Sequence, residues 1–307
     1  MRGMDMFLLS QLKERCLNPY YRRKNAANVK KGAWQPRIMT LEETLKDILD
    51  NHLSISRFGD GEFKWMMGIK QQSFQNDDAK LRELLTKTFA LRDKRLLLCI
   101  PDTFGDLSKY NAFAINYWSY EMYKRRNMIQ SLIPDGYIFG NLNITRFYMD
   151  YLDKGHVETI LGYWKSIFYH RNIYIVEGEF SRLGVGNDLF STASSVHRIL
   201  APAKNAFSSY QKILSFVKEN VPLERSSLIL FALGPTATIM VPFLVDTGYQ
   251  ALDIGHIDVE YEWYKLHATK KIPLVGRYVN EAGGFIEEFN SDILKKYDRE
   301  IMAKIDC

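Results

Sequence analysis

Short apolar runs rich in isoleucine, leucine and valine recur along the chain, and amphipathic stretches separate most of them. Runs of this kind predict strands, here over residues 53–58, 95–100, 136–140, 172–177, 197–201, 227–233 and 250–254. Helical periodicity predicts helices over Ala79–Leu91, Tyr110–Met128, Asp188–Ser195, Ala206–Lys218, Thr236–Val245 and Val259–Ala268. A further helix opens at Thr40, where Glu43 completes a capping box. Apolar strands that alternate with helices predict an α/β, Rossmann-like fold with a mainly parallel sheet flanked by helices.

The size and composition of the chain fit one large domain with a substantial core, since 46% of its 307 residues are hydrophobic. Its three cysteines lie far apart, which indicates neither a disulfide framework nor a zinc site and favours a reducing compartment. The uncharged stretch Ser226–Val245 is long enough to cross a bilayer, but Gly234-Pro235-Thr236 divides it into a strand and a buried helix. Since no secretory signal is visible either, we expect a soluble, cytoplasmic protein.

Positive charge is concentrated near the N-terminus. Between Lys13 and Arg37 the sequence has eight basic residues and one acidic residue, and it also contains Tyr20, Tyr21 and Trp34. Such a segment can contact an anionic membrane surface, an acidic acceptor or nucleic acid, or it can be a solvated leader. We expect peripheral contact with the inner face of a membrane and no nucleic acid. The predicted organisation is a basic arm over residues 1–38, a folded domain over 39–290 and a C-terminal helical tail over 291–307.

An acidic turn follows the first long predicted strand, in the stretch SISRFGDGE. In open α/β sheets ligands bind beyond the carboxyl ends of the strands, and Asp60 and Glu62 lie there. Two carboxylates separated by a glycine can converge on a hard divalent cation such as Mn²⁺ or Mg²⁺, and Arg57 can hold an anion beside it. The alternative is an ordinary solvent-exposed turn.

A glycine-rich loop follows the strand NIYIV and contains Arg182, Gly184 and Gly186. Glycines allow backbone amides to approach a phosphate, and a helix that begins at Asn187 or Asp188 would favour negative charge. The loop has neither a complete G-x-G-x-x-G pattern nor a Walker motif. A plain strand-to-helix loop is the alternative.

Two further strand ends carry polar residues. The strand SLILFAL ends at Gly234 and Thr236, which either line a ligand site or simply cap a helix. The strand QALDI is followed by His256 and Asp258. A histidine can act as a base near neutral pH, and the aspartate can orient it, bind metal or cap the next helix.

Six segments in this order, SRFGDGE, IPD, TRFYMD, VEGEFSRLGVGNDLF, LGPTAT and GYQALDIGHIDVEYEW, resemble the GT-D fold glycosyltransferases. This bacterial family was first catalogued as a domain of unknown function, and the likeness spans roughly Leu41 to Glu281. The resemblance implies a Rossmann-like domain of GT-D type, a nucleotide-sugar donor and a metal-binding Asp-x-Glu motif, here Asp60-Gly61-Glu62. Family members extend glycans on bacterial surface adhesins and act in polysaccharide assembly. The basic N-terminal arm lies outside the resemblance.

Together these features predict a metal-dependent glycosyltransferase that moves a sugar from a nucleoside diphosphate, UDP being expected, to a glycan acceptor on a surface glycoprotein or polysaccharide precursor. The cation would act as a Lewis acid on the leaving phosphate, and His256 or Asp258 would serve as base. The predicted donor site comprises Arg57, Arg182, Gly184, Gly186, Asn187, Asp188, Gly234 and Thr236, and Arg57 is also a candidate for charge stabilisation during catalysis. A metal-dependent phosphohydrolase or nucleotidyltransferase and a noncatalytic glycan-binding or nucleotide-binding module are the alternatives.

Overall fold

The computed structural model describes residues 18–71, 74–134, 136–282, 284 and 287–306. Within these ranges the chain forms a nine-stranded, wholly parallel sheet. The strands are β1 (Arg37–Ile38), β2 (Ser54–Arg57), β3 (Leu96–Ile100), β4 (Ile138–Asn141), β5 (Asn172–Gly178), β6 (Ser195–Ala201), β7 (Ser227–Ala232), β8 (Ala251–Asp253) and β9 (Ile301–Lys304). Their order across the sheet is β1-β4-β3-β2-β8-β7-β5-β6-β9.

Helices cover both faces of the sheet. They are α1 (18–30), α2 (Leu41–Asn51), α3 (Asp60–Met66), α4 (Ala79–Ala90), α5 (Ala112–Leu132), α6 (Val157–Phe168), α7 (Tyr210–Asn220), α8 (Pro235–Val245), α9 (Ile257–Lys265) and α10 (Ser291–Glu300). Two large hydrophobic clusters of buried residues pack against the sheet, and successive residues of a strand belong to different clusters. In β3, for example, Leu98 belongs to one cluster and Leu97 to the other. This burial on both faces explains why the strands read as continuous apolar runs. Among the described helices, none combines the length and apolar character that crossing a bilayer requires.

The predicted α/β fold with a parallel sheet is confirmed, and each predicted strand has a counterpart. Thr40 caps α2 with both bonds of the capping box. The helix predicted over Asp188–Ser195 is wrong, because these residues form turns and Ser195 already begins β6. The turns are closed by bonds of the i to i+3 type, such as Ser191 N to Asp188 O at 3.1 Å. The sequence STASS favours this outcome, since serine and threonine side chains compete with helical hydrogen bonds.

The described part of the N-terminal arm packs on the domain. Helix α1 lies against α5, where the Arg22 guanidinium donates to the Ala112 carbonyl at 2.8 Å and Arg126 donates to Asn25 at 3.0 Å. The rings of Tyr21 and Tyr120 meet edge to face, with centroids 5.0 Å apart. Strand β1 then pairs with β4. The first part of the predicted arm, which includes Lys13, lies outside the described residues.

The predicted C-terminal helical tail is only partly helical. Helix α10 is followed by β9, which pairs in parallel with β6 at the edge of the sheet. The strand is four residues long and half-exposed, so its short alternation IMAK carries little periodic signal. An ion pair fixes this segment, because Arg198 on β6 contacts Glu300 at the end of α10 at 2.7 Å.

Replacing Arg198 by methionine is expected to lower the free energy of unfolding by about 3–5 kcal/mol, because it leaves a buried carboxylate unpaired. Arg198 is 2% exposed and also contacts the fully buried Glu177 at 2.6 Å. Urea unfolding measures the effect. The control is Lys304→Met, which removes a solvent-exposed pair with Glu179 and should leave the free energy of unfolding almost unchanged. Equal losses in the two variants would contradict the assignment.

Candidate active site

One cleft of about 530 Å³ opens at the carboxyl edge of the sheet. It is lined by residues from the loops that follow β2, β3, β4, β5, β6, β7 and β8, and by a segment that follows α9. Its charged and titratable lining residues are Arg57, Asp60, Glu62, Tyr110, Tyr117, Arg146, Asp150, Asp253, His256, Asp258, Lys271, Tyr278 and Glu281. Opposite charges from distant parts of the chain therefore share one cavity.

The acidic turn forms the start of α3. The chain leaves β2, passes through Gly59 and enters the helix at Asp60. Glu62 reaches back to accept a hydrogen bond from the Gly59 amide at 2.9 Å. Asp60 accepts from Lys64 at 2.6 Å and from the Tyr117 hydroxyl. Both carboxylates thus lie in the first turn of a helix and line the cleft.

Glu62 lies in an electrostatically unfavourable place for an anion. Burial, with the charges of Asp253 and Asp60, raises the pKa of Glu62 to about 7. Burial also acts on Asp60, but Lys64 and Tyr117 outweigh it and lower the pKa of that carboxyl. A divalent cation would relieve the repulsion among these carboxylates.

A cation bound by the acidic pair would have to take its remaining ligands from a substrate or from water. In the part of the chain that the structure describes, no group of three histidine, cysteine, aspartate or glutamate side chains is arranged to hold a metal ion. Mg²⁺ is commonly held by one or two carboxylates together with phosphate oxygens and water rather than by a cage made of protein. Asp60 and Glu62 are the two carboxylates that a site of this type would use here.

Arg57 lies at the end of β2 and lines the cleft beside the acidic turn. Its Nε and Nη2 lie 3.2 and 3.1 Å from one oxygen of Asp253 at the end of β8, and its Nη1 donates to Thr145. Gly255 permits this arrangement, because a Cβ there would overlap the guanidinium. The positive charge is therefore held in a fixed position.

His256 precedes α9 and lines the same cleft. Its Nδ1 is 3.2 Å from Arg146 Nη2, and its Nε2 is 3.3 Å from a carboxylate oxygen of Glu281. Burial and the charge of Arg146 lower the pKa of His256, although Glu281 opposes the shift. The imidazole is consequently neutral at neutral pH, the form that accepts a proton.

Asp258 also lines the cleft, but both of its oxygens are engaged. Oδ1 accepts from the Gly184 amide at 2.9 Å and from Asn187 at 2.8 Å. Oδ2 pairs with the buried Arg277. Nor does Asp258 cap α9, whose N-cap position is taken by His256. Both ring nitrogens of His256 are engaged as well, but its side chain is 32% exposed whereas that of Asp258 is 3% exposed, so His256 is the more accessible of the two candidate bases.

The glycine-rich loop contacts Asp258 through Gly184 and Asn187, and its residues 184–188 do not line the cleft. Arg182 does not line it, because its guanidinium donates to the Gly276 carbonyl at 2.8 Å and pairs with Glu288. Gly184 and Gly186 have φ of 69° and 80°, so they serve the turn itself. The residues of this region that do line the cleft are Gly178, Ser181 and Leu183.

Of three more predicted donor residues, only one lines the cleft. Asp188 is half-exposed and accepts from the Tyr261 hydroxyl at 2.6 Å, away from the cleft. Gly234 lines the cleft at the N-terminus of α8. Thr236 is fully buried in the first turn of that helix. Of the loop after β7, Leu233, Gly234 and Pro235 line the cleft, whereas Thr236 does not.

Several cleft residues were missed in the sequence analysis. Arg146 follows β4, and Asp253 ends β8. Glu281 reaches Arg146 at 2.7 Å across 135 positions of sequence. Asp102, just after β3, accepts hydrogen bonds from Tyr110 and Asn143, both of which line the cleft. The segments IPD and TRFYMD contain Asp102 and Arg146. The position of Asp102 just after a predicted strand was the signal available for it, whereas Arg146 lies five residues beyond the end of β4.

Comparison with known proteins identifies the family and the fold. Residues 55–282 match the family model described as glycosyltransferase GT-D fold. The chain belongs to the GT-D family. A solved structure described as a domain of unknown function 1792 with a distinct glycosyltransferase fold superposes with a TM-score of 0.82 at 35% identity, covering 94% of this chain and all of that one. A glycosyltransferase of the same domain type from Streptococcus sanguinis gives a TM-score of 0.82 at 34% identity, covering 89% of this chain and all of that one.

Two longer proteins also resemble this GT-D chain. It is 35% identical over 279 residues to the probable glycosyl transferase Gly of Streptococcus gordonii, a match that covers 88% of this chain and 39% of that protein. It is 33% identical over 274 residues to the glycosyltransferase GlyD of Streptococcus pneumoniae serotype 4, covering 88% of this chain and 32% of that protein. The chain thus spans 39% and 32% of the length of these two relatives. The expected GT-D family and fold are confirmed.

Proposed function

We propose that this GT-D protein is a glycosyltransferase that moves a sugar from a nucleoside diphosphate, UDP being the first to test, to a hydroxyl of a glycan acceptor. One observation carries the proposal. A single cleft at the carboxyl edge of the sheet brings together an acidic pair, two arginines and a neutral histidine. These are the groups that a reaction needs when a diphosphate leaves and a hydroxyl attacks.

The acidic pair is the proposed metal site. Asp60 and Glu62 would hold Mn²⁺ or Mg²⁺, and the bound cation would supply Lewis-acid stabilisation of the leaving diphosphate. Arg57 adds a positive charge whose orientation the ion pair with Asp253 fixes in advance. The N-terminus of α8, at Gly234, faces the same cleft and favours negative charge.

His256 is the proposed general base. It would accept the proton of the acceptor hydroxyl while the oxygen bonds to the anomeric carbon and the bond from that carbon to the diphosphate breaks. Arg146 and Glu281 contact its ring and hold its orientation. A direct displacement of this kind inverts the anomeric configuration.

The family and the charge of the N-terminal segment support a proposal for the acceptor and the location. We propose a glycan on a surface glycoprotein or a polysaccharide precursor as acceptor, and action at the cytoplasmic face of a membrane. The exposed basic residues Arg23, Lys24, Lys30 and Lys31 lie in and just after α1, near the exposed Tyr20, and support contact with anionic lipid. Co-sedimentation with anionic vesicles is the measurement for that contact.

Product analysis with a panel of nucleotide sugars and Mn²⁺ tests the proposed activity. We expect release of nucleoside diphosphate, together with transfer or hydrolysis of the sugar, from at least one donor. A phosphohydrolase would instead release nucleoside monophosphate and sugar phosphate, because it cleaves the bond between the phosphates. A binding module would give no turnover at all. Either of these outcomes would overturn the proposal.

A further inference from the structure

The two neighbouring helices α1 and α5 together carry a strong positive charge. Residues 18–31 include five basic residues and no acidic residue, and residues 111–132 include three basic residues and one acidic residue, the buried Glu121. Eight basic residues against one acidic residue give these segments a balance of +7, although the net charge of the whole chain is +5. The excess of positive charge is therefore concentrated in one region of the surface.

Aromatic side chains lie between these charges. The Lys24 ammonium is 5.6 Å from the centre of the Tyr20 ring, and the Lys124 ammonium is 5.8 Å from that of Tyr123. The hydroxyls of Tyr20 and Tyr123 are 3.2 Å apart, across the contact between the two helices. Lysine mixed with tyrosine is typical of protein surfaces that meet the interfacial region of an anionic membrane.

An exposed stripe on α5 connects this charge to the mouth of the cleft. Phe113, Tyr117, Tyr120 and Lys124 follow one another at spacings of three or four residues, so they lie on one side of the helix. All four are exposed, and Phe113 and Tyr117 line the cleft. The surface that the two helices present is called the α1–α5 face, and its exposed members are Tyr20, Lys24, Phe113, Tyr117, Tyr120 and Lys124.

The α1–α5 face also lies close to the proposed base. Lys271 Nζ is 5.5 Å from the centre of the Phe113 ring and 2.8 Å from a carboxylate oxygen of Glu281. Glu281 in turn contacts His256 at 3.3 Å. A chain that enters the cleft beside Phe113 therefore has a short path to His256.

The charge of the face indicates what covers it. An uncharged glycan does not account for the concentration of basic residues. A second copy of the chain would bring like charges together in a symmetric contact, which is unfavourable. An anionic lipid surface attracts the lysines, and the exposed aromatic rings enter its interfacial region.

We propose that the α1–α5 face rests on an anionic membrane surface with the mouth of the cleft beside it, and that the acceptor is a lipid-linked glycan rather than a glycoprotein. The proposal rests on the proposed function, because it names the acceptor class of that cleft. A glycan anchored in the bilayer enters beside Phe113 and Tyr117, whereas the nucleotide sugar comes from solution.

Vesicles made of equal parts of phosphatidylglycerol and phosphatidylcholine test the charged surface. A lysine close to an anionic surface strengthens binding about fivefold, so Lys24→Gln combined with Lys124→Gln should weaken vesicle binding about 30-fold. The matched control is Lys295→Gln combined with Lys296→Gln. It removes the same charge from α10, which precedes β9 at the other edge of the sheet, and should bind like the wild type.

A fluorophore that responds to the polarity of its surroundings tests the orientation. It is attached to Phe113→Cys, Tyr120→Cys or Tyr169→Cys in a chain whose Cys16 and Cys307 are replaced by serine, since Cys99 is buried. Tyr169 is exposed between α6 and β5, at the amino edge of the sheet. With these vesicles the emission should shift to shorter wavelength at positions 113 and 120 and stay unchanged at position 169.

Transfer of a radiolabelled sugar tests the acceptor class. The nucleotide sugar that product analysis selects is incubated with the protein and with membranes of the organism that encodes it. The label should enter the lipid fraction that organic solvent extracts. Lys24→Gln combined with Lys124→Gln should lower this transfer, while hydrolysis of the donor in solution stays at the wild-type rate.

Three results would overturn the proposal while the proposed function stands: no shift at positions 113 and 120, an equal shift at position 169, or label found only in protein. Binding of single-stranded DNA without any binding to vesicles would also overturn it, because the face would then serve another polyanion. If no nucleotide sugar is turned over, the proposed function fails, and the acceptor class fails with it.

Discussion

His256→Gln is expected to lower turnover on a true acceptor by about 10² to 10⁴, the usual cost of losing a general base. The glutamine amide can still contact Arg146 and Glu281, which both lie within hydrogen-bond reach of the imidazole. It cannot accept the hydroxyl proton. Affinity for the nucleotide and the melting temperature should therefore stay near the wild-type values. Steady-state kinetics, calorimetry and thermal unfolding measure the three quantities.

The pH dependence of the wild type gives a second readout of the same group. Because burial and Arg146 lower the pKa of His256 from its ordinary 6.5, the imidazole stays in its unprotonated form until the pH falls below that value. Activity should be retained through neutral pH and lost as the pH falls through the lowered pKa. This acidic limb should be absent from the residual activity of His256→Gln.

Asp258→Asn is the matched comparison, because the sequence alone proposed either residue as base. Asp258 forms a buried ion pair with Arg277, so its replacement should lower stability strongly, by about 3–5 kcal/mol. The assignment is contradicted if His256→Gln keeps wild-type turnover. Loss of nucleotide binding in a folded His256→Gln protein would move this residue to the donor site.

Asp60→Asn and Glu62→Gln are expected to reduce turnover by about 10² to 10³, since a metal ion contributes several kcal/mol to charge stabilisation in the transition state. Glutamine preserves the hydrogen bond that Glu62 accepts from the Gly59 amide, so the start of α3 should remain intact. Chelator should abolish wild-type turnover, and added Mn²⁺ should restore it in the wild type alone.

Glu83→Gln provides the control for the acidic pair. Glu83 lies on α4 in exposed pairs with Lys80 and Lys87, outside the cleft. Its replacement should leave both turnover and metal dependence unchanged. Full activity of the wild type in chelator, or of both acidic-pair variants with metal, would show that the reaction needs no cation at this turn.

The sheet could be predicted because its strands are buried on both faces. Runs such as LLLCI and SLILFA leave little choice other than a covered parallel strand. The two edge strands contain no such continuous apolar run. Strands β1 and β9 have two and four residues and are partly exposed, so tertiary pairing rather than local pattern creates them. The helix predicted over Asp188–Ser195 is absent for a related reason, because turns closed by local hydrogen bonds form there instead.

The rule that ligands bind at the carboxyl ends of parallel strands placed Asp60, Glu62 and His256 at one edge, and the structure brings them into one cleft. The rule does not give the direction of a side chain. Arg182 follows a strand of the same edge, yet it pairs with Glu288, 106 positions later. Partners at such separations are decided by the fold as a whole, which local sequence patterns do not describe.

The location of the cation is the most direct test of the whole account. Crystals grown with UDP and Mn²⁺ and measured at the manganese absorption edge would show the ion by its anomalous scattering. We predict one peak within coordination distance of the carboxylates of Asp60 and Glu62 and of the diphosphate oxygens. A peak elsewhere, or nucleotide bound in the cleft with no peak beside these carboxylates, would contradict it.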